Sequence, residues 1–243
     1  MSSPRTLFWH RRDLRLADNT GLQAAVALGP AVTGVYVLDP LLITPPQQLP
    51  PMAPARLWFL IETLIELQQR WREAGSRLLV VAGDPVELLP RLASLLDAPT
   101  VVWSRDVEPY ARARDRQVAK ALQADGRKLL VDWDQLLVAP ELIKTGGGDP
   151  YRVYGPFLRN WRGQVERRQP STVEAPVGLS DLDSDTLEAL RWNNPKTLAP
   201  KTGALLSKSV TLKSEFLGTY VGRPSSSSAK SASGAQPDDS SGL

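Results

Sequence analysis

The sequence predicts an α/β domain built on a doubly wound, five-stranded parallel sheet, and three observations carry that prediction. Short β-prone runs alternate with helical patterns five times before about residue 135, which calls for parallel strands joined by right-handed crossovers. Residues 31–38 are a nearly continuous β-prone run, which suits a strand covered on both faces, and 77–82 read as the third strand. The first run, Thr6-Leu7-Phe8-Trp9, stops abruptly at His10-Arg11-Arg12-Asp13-Leu14-Arg15. In an open α/β sheet that is where ligands bind, because loops and helix N-termini converge at the carboxyl ends of the strands.

Each element has its own signal. After the first strand, Asp18 and Asn19 offer caps to a helical pattern over residues 21–28, ended by Gly29-Pro30. The second strand, 31–38, runs into Asp39-Pro40, and Pro45, Pro46, Pro50, Pro51 and Pro54 make the following segment a surface loop. Leu57, Leu60, Ile61, Leu64, Ile65 and Leu67 recur at helical spacing over 56–71, and Gly75 stops that helix. The third strand leads through Gly83-Asp84-Pro85, a turn, cap and first helical residue, into a short helix over 85–96. Residues 100–103 form the fourth strand, 109–124 a helix ended before Gly126, and 128–131 the fifth strand.

The expected strand order is 3-2-1-4-5, a Rossmann-like sheet whose switch point lies between the first and fourth strands. That order brings Arg11, Asp13 and Arg15 near residues 106–114. No glycine triplet follows the first strand, so the usual dinucleotide fingerprint is absent, and Gly146-Gly147-Gly148 lacks the strand and Lys-Ser/Thr pair of a phosphate loop.

Composition narrows the chemistry. The 243 residues contain no cysteine and one histidine, which removes disulfides and thiolate chemistry and makes zinc sites and Ser-His triads poor expectations. No apolar run approaches the roughly 20 residues of a spanning helix, so a soluble, cytoplasmic chain with no membrane contact is expected. The net charge of +3 is too small to define a nucleic-acid surface.

Three loops at one sheet edge supply what a planar heteroaromatic ligand needs: an apolar slot, acceptors for ring N–H groups and a cation for acidic groups. Val37, Leu38 and Met52 offer the slot, Asp106 and Glu108 the acceptors, and Arg56 or Arg114 the cation, with Asp39 a carboxylate at the strand end and Arg11, Asp13 and Arg15 further loop contacts. Simpler roles compete. Asp39 suits a turn or cap, Glu108-Pro109 suits a helix start, and Arg112, Arg114, Asp115 and Arg116 suit a solvated helix face. Trp9, Trp58, Trp71 and Trp103 read as core or half-buried packing, and His10 as a satisfied structural histidine.

Four ordered stretches resemble the DNA photolyase/cryptochrome family: residues 8–19 with the R-x-D-L-R loop, Leu38-Asp39-Pro40, the W-x-x-D-x-E-P-Y-x-R-x-R-D run over 103–115, and 150–157. The resemblance covers about residues 6–164 and implies that residues 1–135 are the family's antenna domain. It implies that the eight residues named above hold a light-harvesting chromophore, 8-hydroxy-5-deazaflavin or alternatively methenyltetrahydrofolate. Ala111 departs from the glycine that deazaflavin-type members tend to have there, and its methyl narrows the slot. In the family, the chromophore passes excitation to reduced FAD in a separate helical domain, which splits pyrimidine dimers in DNA.

No such helical domain is legible here, so no dimer repair is expected from this chain alone, and DNA is expected to be reached only through an FAD domain. Residues 136–180 read as a linker. Its stretch 151–161, with Tyr151, Tyr154, Phe157 and Trp161, is expected to dock a separately encoded FAD domain if the protein is half of a split photolyase. Residues 181–243 read as a low-order tail, disordered from about 224 and foreign in periodicity, as after a frameshift. A competing expectation is a nucleotide-binding regulatory protein on the same sheet, taking AMP or ATP at the first loop.

Overall fold

The computed structural model describes residues 4–46, 50–169 and 171–190. In chain order the first units are β1 (Thr6–His10), α1 (Thr20–Val26), β2 (Val32–Leu38), α2 (Pro40–Ile43), α3 (Pro54–Glu73), β3 (Leu78–Ala82) and α4 (Pro85–Leu95). They are followed by β4 (Thr100–Ser104), α5 (Pro109–Ala124), β5 (Lys128–Asp132), a 3-10 turn at Pro140–Leu142, α6 (Tyr154–Arg168) and α7 (Ser184–Leu190). All strand pairs are parallel and the order is β3-β2-β1-β4-β5, as the sequence predicts.

Strand alternation sorts the core into two layers. Leu7, Trp9, Val35, Val37, Leu79, Val81, Val101 and Trp103 face α4, α5 and α7. Phe8, Val32, Leu38, Leu78, Ala82 and Val102 face α1 and α3. Within the second layer Trp71 is fully buried, and its indole N–H donates to His10 Nε2 at 3.0 Å. His10 Nδ1 donates to the Asp13 carbonyl at 2.9 Å, so the buried imidazole is satisfied on both sides as a neutral ring. Burial lowers its pKa.

Gly34 on β2 makes this packing possible: a Cβ there would lie 2.7 Å from the Trp71 ring. Trp71 and Trp103 occupy the expected interior positions, whereas Trp58 is exposed on α3. The segment expected to be wholly loop after Asp39 begins with the short helix α2. Asp39 caps it, accepting from the Leu41 N–H at 2.9 Å, and Pro40 sits in its first turn.

The largest difference lies after α6. Residues 171–180, read from the sequence as the end of a linker, return to the domain. Asp18 N–H donates to the Val173 carbonyl, Leu179 N–H to the Ala74 carbonyl, and Ser180 N–H to the Pro30 carbonyl. Gly75, at φ +96°, lets Leu179 pass: a Cβ there would meet the Leu179 carbonyl at 2.5 Å. Leu179, Leu182 and Leu190 are buried, and α7 packs against the α4 layer. The expected disorder from about residue 224 and the foreign origin of the last residues lie outside the described residues.

Gly34→Ala should destabilise the fold by about 1–3 kcal/mol through overpacking against Trp71, read as a lower urea midpoint with an altered near-ultraviolet tryptophan signal. His10 gives a pH dependence of defined sign. Because its folded pKa lies below its unfolded value of about 6.5, the unfolded state binds the extra proton. Stability should therefore be level above about pH 7 for this group and fall below about 6.5, by up to about 1.4 kcal/mol per pH unit. His10→Asn should remove that slope from unfolding curves.

Candidate ligand-binding site

The pairing of β1 with β4 ends at Phe8 and Val102, while β1–β2 continues to His10 and Tyr36 and β4–β5 to Ser104 and Asp132. The carboxyl ends of β1 and β4 therefore have no ladder between them, and side chains of the first loop fill the gap. Asp13 is almost fully buried there. Its carboxylate accepts from the Arg11 N–H at 2.8 Å, the Ser104 hydroxyl at 3.2 Å and the Asn19 amide at 3.4 Å. Asn19 in turn caps α1 through the Leu22 N–H at 2.9 Å. Asp13 thus holds the loop in shape, and Arg15 pairs outward with Asp134 at 2.8 Å.

On one side of this gap Arg114 of α5 is buried with its guanidinium 4.8 Å from the Trp9 ring centre and 5.6 Å from that of Tyr110. Arg11 reaches the same indole at 5.1 Å. Two stacked cations in a dry setting need compensation, and two carboxylates give it. Asp115 bonds Arg11 at 2.5 Å and Arg114 at 3.1 Å, and Asp39 lies 3.8 Å from Arg114. The Tyr110 hydroxyl also donates to Asp39 at 2.5 Å. Burial, reinforced by that hydrogen bond, pushes the Tyr110 phenol well above its usual range. Burial likewise lowers the Arg11 guanidinium, against the opposing pull of Asp115. One Arg11 nitrogen, Nη2, is buried without an acceptor among the described residues.

A second cluster lies at the start of α5. Asp106, buried, accepts from the Glu108 N–H at 3.0 Å and pairs with Arg12 at 3.1 Å, while Glu108 faces Arg12 at 3.4 Å from an exposed position. The sequence-predicted residues are thus brought together as two groups, Asp39 with Arg114 and Asp106 with Glu108. Val37 and Leu38 are both buried but on opposite faces of the sheet, so their side chains do not line one slot. Met52 is half-buried, its N–H donating to the Ile43 carbonyl at 3.0 Å. Arg56 is exposed, with no ion pair among the described residues.

Sequence reasoning missed Trp9 as the stacking platform, and Tyr110, Asp115 and Arg12 as partners. Tyr110 and Arg114 stand four apart on α5, the spacing that shares a helix face, and this was the available signal. Ala111 is buried beside them. Among the described residues no group of His, Cys, Asp and Glu is arranged to hold a metal ion, and no helix is long and apolar enough to cross a membrane.

Sheet order, switch-point gap and buried ionic lining define a domain of the open, doubly wound α/β class. The DNA photolyase family pattern matches residues 6–176. A deoxyribodipyrimidine photo-lyase of Synechococcus sp. PCC 6301 is 49% identical over 190 residues, 78% of this chain and 38% of its own length. An uncharacterized 31.6 kDa protein from the atpI 5' region of Synechococcus sp. PCC 6716 is 41% identical over 211 residues, 84% of this chain and 73% of its own. The crystal structure of a class III photolyase from Agrobacterium tumefaciens superposes with a TM-score of 0.64 at 33% identity, covering 75% of this chain and 36% of that one. The chain belongs to the DNA photolyase family, and what it shares with these photolyases is their N-terminal α/β domain.

Replacing Asp115 by Asn leaves Arg11 and Arg114 buried with half their compensation. Such a loss should lower stability by roughly 3 kcal/mol, measured by chemical unfolding, with Arg116→Ala on the exposed side of the same helix as a near-neutral control.

Proposed function

We propose that this domain is a light-harvesting antenna that holds 8-hydroxy-5-deazaflavin at the β1–β4 switch edge, with methenyltetrahydrofolate as the alternative chromophore. The observation that carries the reading is the stack of buried Trp9 and Arg114 with half-buried Tyr110, with Asp39 at its edge. Flat, cation-backed aromatic surfaces beside a buried carboxylate suit a flat ring with N–H and acidic groups. When bound, the chromophore would absorb near-ultraviolet or blue light and pass the excitation on.

In this reading Asp39 accepts from a ring N–H, taking over the place of the Tyr110 hydroxyl, and Arg11 Nη2 supplies the donor that now lacks an acceptor. Asp106 and Glu108 receive the far edge of the ring, and Met52 covers it. Arg56 pairs with acidic groups from solvent. Val37 and Leu38 contribute the strand end against which the ring lies.

We further propose that FAD and DNA are reached through a helical domain docking on residues 151–161. The exposure of Val153 and Tyr154 at 64% and 71%, with Phe157 beside Tyr154 at 6.3 Å, supports that surface. Dimer repair then depends on that domain.

Fluorescence titration with 8-hydroxy-5-deazaflavin, with methenyltetrahydrofolate in parallel, tests the antenna reading. Arg56→Ala at its exposed position and Asp39→Asn, its fold checked by circular dichroism, should each weaken binding about tenfold, the worth of one charge-assisted hydrogen bond. Absence of binding by either chromophore, or binding indifferent to both variants, overturns it.

A further inference from the structure

A second concavity lies on the other side of Asp106 and Asp115, between α5, β5 and the segment that follows β5. Its volume is about 720 Å³, inside the range of small-molecule sites. Trp103, Ala119 and Val131 give it an apolar wall, and Trp133 an aromatic one. Trp103 and Val131 are register partners on β4 and β5, so this wall is rigid sheet.

The charges around it are unequal. Each acid is already matched: Asp106 by Arg12, Asp115 by Arg11 and Arg114, and Glu141 by Arg105 and the Trp133 indole N–H at 3.0 Å. Three lining cations, Arg112, Arg116 and Lys144, have no ion pair among the described residues. Arg112 and Arg116 stand four apart and so share a face of α5. The Trp103 indole N–H is buried, with no acceptor among the described residues. Arg105, which also lines the concavity, lies 5.8 Å from the Trp133 ring centre.

From this we infer that the concavity is a second ligand site, separate from the antenna site, for an aromatic phosphate monoester of mononucleotide size. The ring stacks on Trp133 against the Val131 and Ala119 wall, a ring carbonyl or nitrogen accepts from Trp103, and the phosphate dianion is held by Arg112, Arg116 and Lys144. Arginine suits this because its fork meets two phosphate oxygens at once. The two sites meet at Asp106 and at Asp115, whose carboxylate balances Arg11 and Arg114 on the antenna side. Trp103 also meets Trp9 edge-on at 5.8 Å, so an occupant here lies one indole away from the antenna stack.

The test is a titration of the full chain with 2-aminopurine riboside 5'-monophosphate, followed by its fluorescence, with the unphosphorylated nucleoside and inorganic phosphate as separate arms. Saturable one-to-one binding is expected, weakened at least tenfold in the nucleoside and in the exposed-surface variant Arg116→Ala/Lys144→Ala. Trp133→Leu should weaken it similarly, whereas Arg56→Ala should leave it unchanged. The proposal is overturned by no saturable binding, by equal binding of nucleoside and nucleotide, or by inorganic phosphate displacing the probe as well as unlabelled AMP does. Stoichiometric displacement by 8-hydroxy-5-deazaflavin would place the probe in the antenna site and overturn it too.

Discussion

The structure depends on a short ladder. Strands β1 and β4 pair only from Thr6–Thr100 to Phe8–Val102, and past that point backbone polar groups at the centre of the sheet must find other partners. Asp13 provides one: a buried carboxylate that gathers the Arg11 N–H, the Ser104 hydroxyl and the Asn19 amide. Through Asn19 it also sets the start of α1, and through its carbonyl it fixes the tautomer of His10. One residue therefore couples the end of β1, the end of β4, the first helix and the buried imidazole. With this loop fixed, Arg11 is delivered to Trp9 and Asp115, so the geometry of the site follows from how the sheet opens.

That opening explains why cations lie so deep. A buried guanidinium is unfavourable unless its donors are met and its charge is balanced. Here the indole of Trp9 lies within cation–π distance of two guanidinium groups, and Asp115 bridges them. Removing water from this cluster strengthens every interaction in it. It also makes an unmatched donor such as Arg11 Nη2 a strong attractor for an acceptor brought by a ligand.

The strands and their order were legible because they rest on β-prone runs alternating with helical patterns and on turn residues, all written locally in the chain. The helix ends at Gly75 and Gly126 and the caps at Asn19 and Asp84 were legible for the same reason. The return of residues 171–183 was not, since it is fixed by backbone hydrogen bonds to Asp18, Ala74 and Pro30 that leave no side-chain period. Asp39 carried both of its signals openly, a cap before proline and a carboxylate at a strand end, and it serves as α2 cap and as partner of Tyr110 and Arg114 together. Arg56 and Glu108 were named as a cation and an acceptor at the sheet edge, and their exposure could not be read from spacing, because Arg56 sits in the first turn of α3 and Glu108 is the N-cap of α5, where either face fits the pattern.

The two faces of α5 carry the last step. Its Tyr110 and Arg114 turn toward the stack on Trp9, while Arg112 and Arg116 turn toward the concavity beside Trp133. Asp115 lies between, bound to Arg11 and Arg114 on one side and lining the concavity on the other. A charge placed against Arg112 and Arg116 therefore acts on the same short helix segment that balances the buried guanidinium pair. Because that segment is held rigidly by Ala111, Val118 and Leu122 in the core, such an influence passes through electrostatics across about one helical turn rather than through movement of the helix.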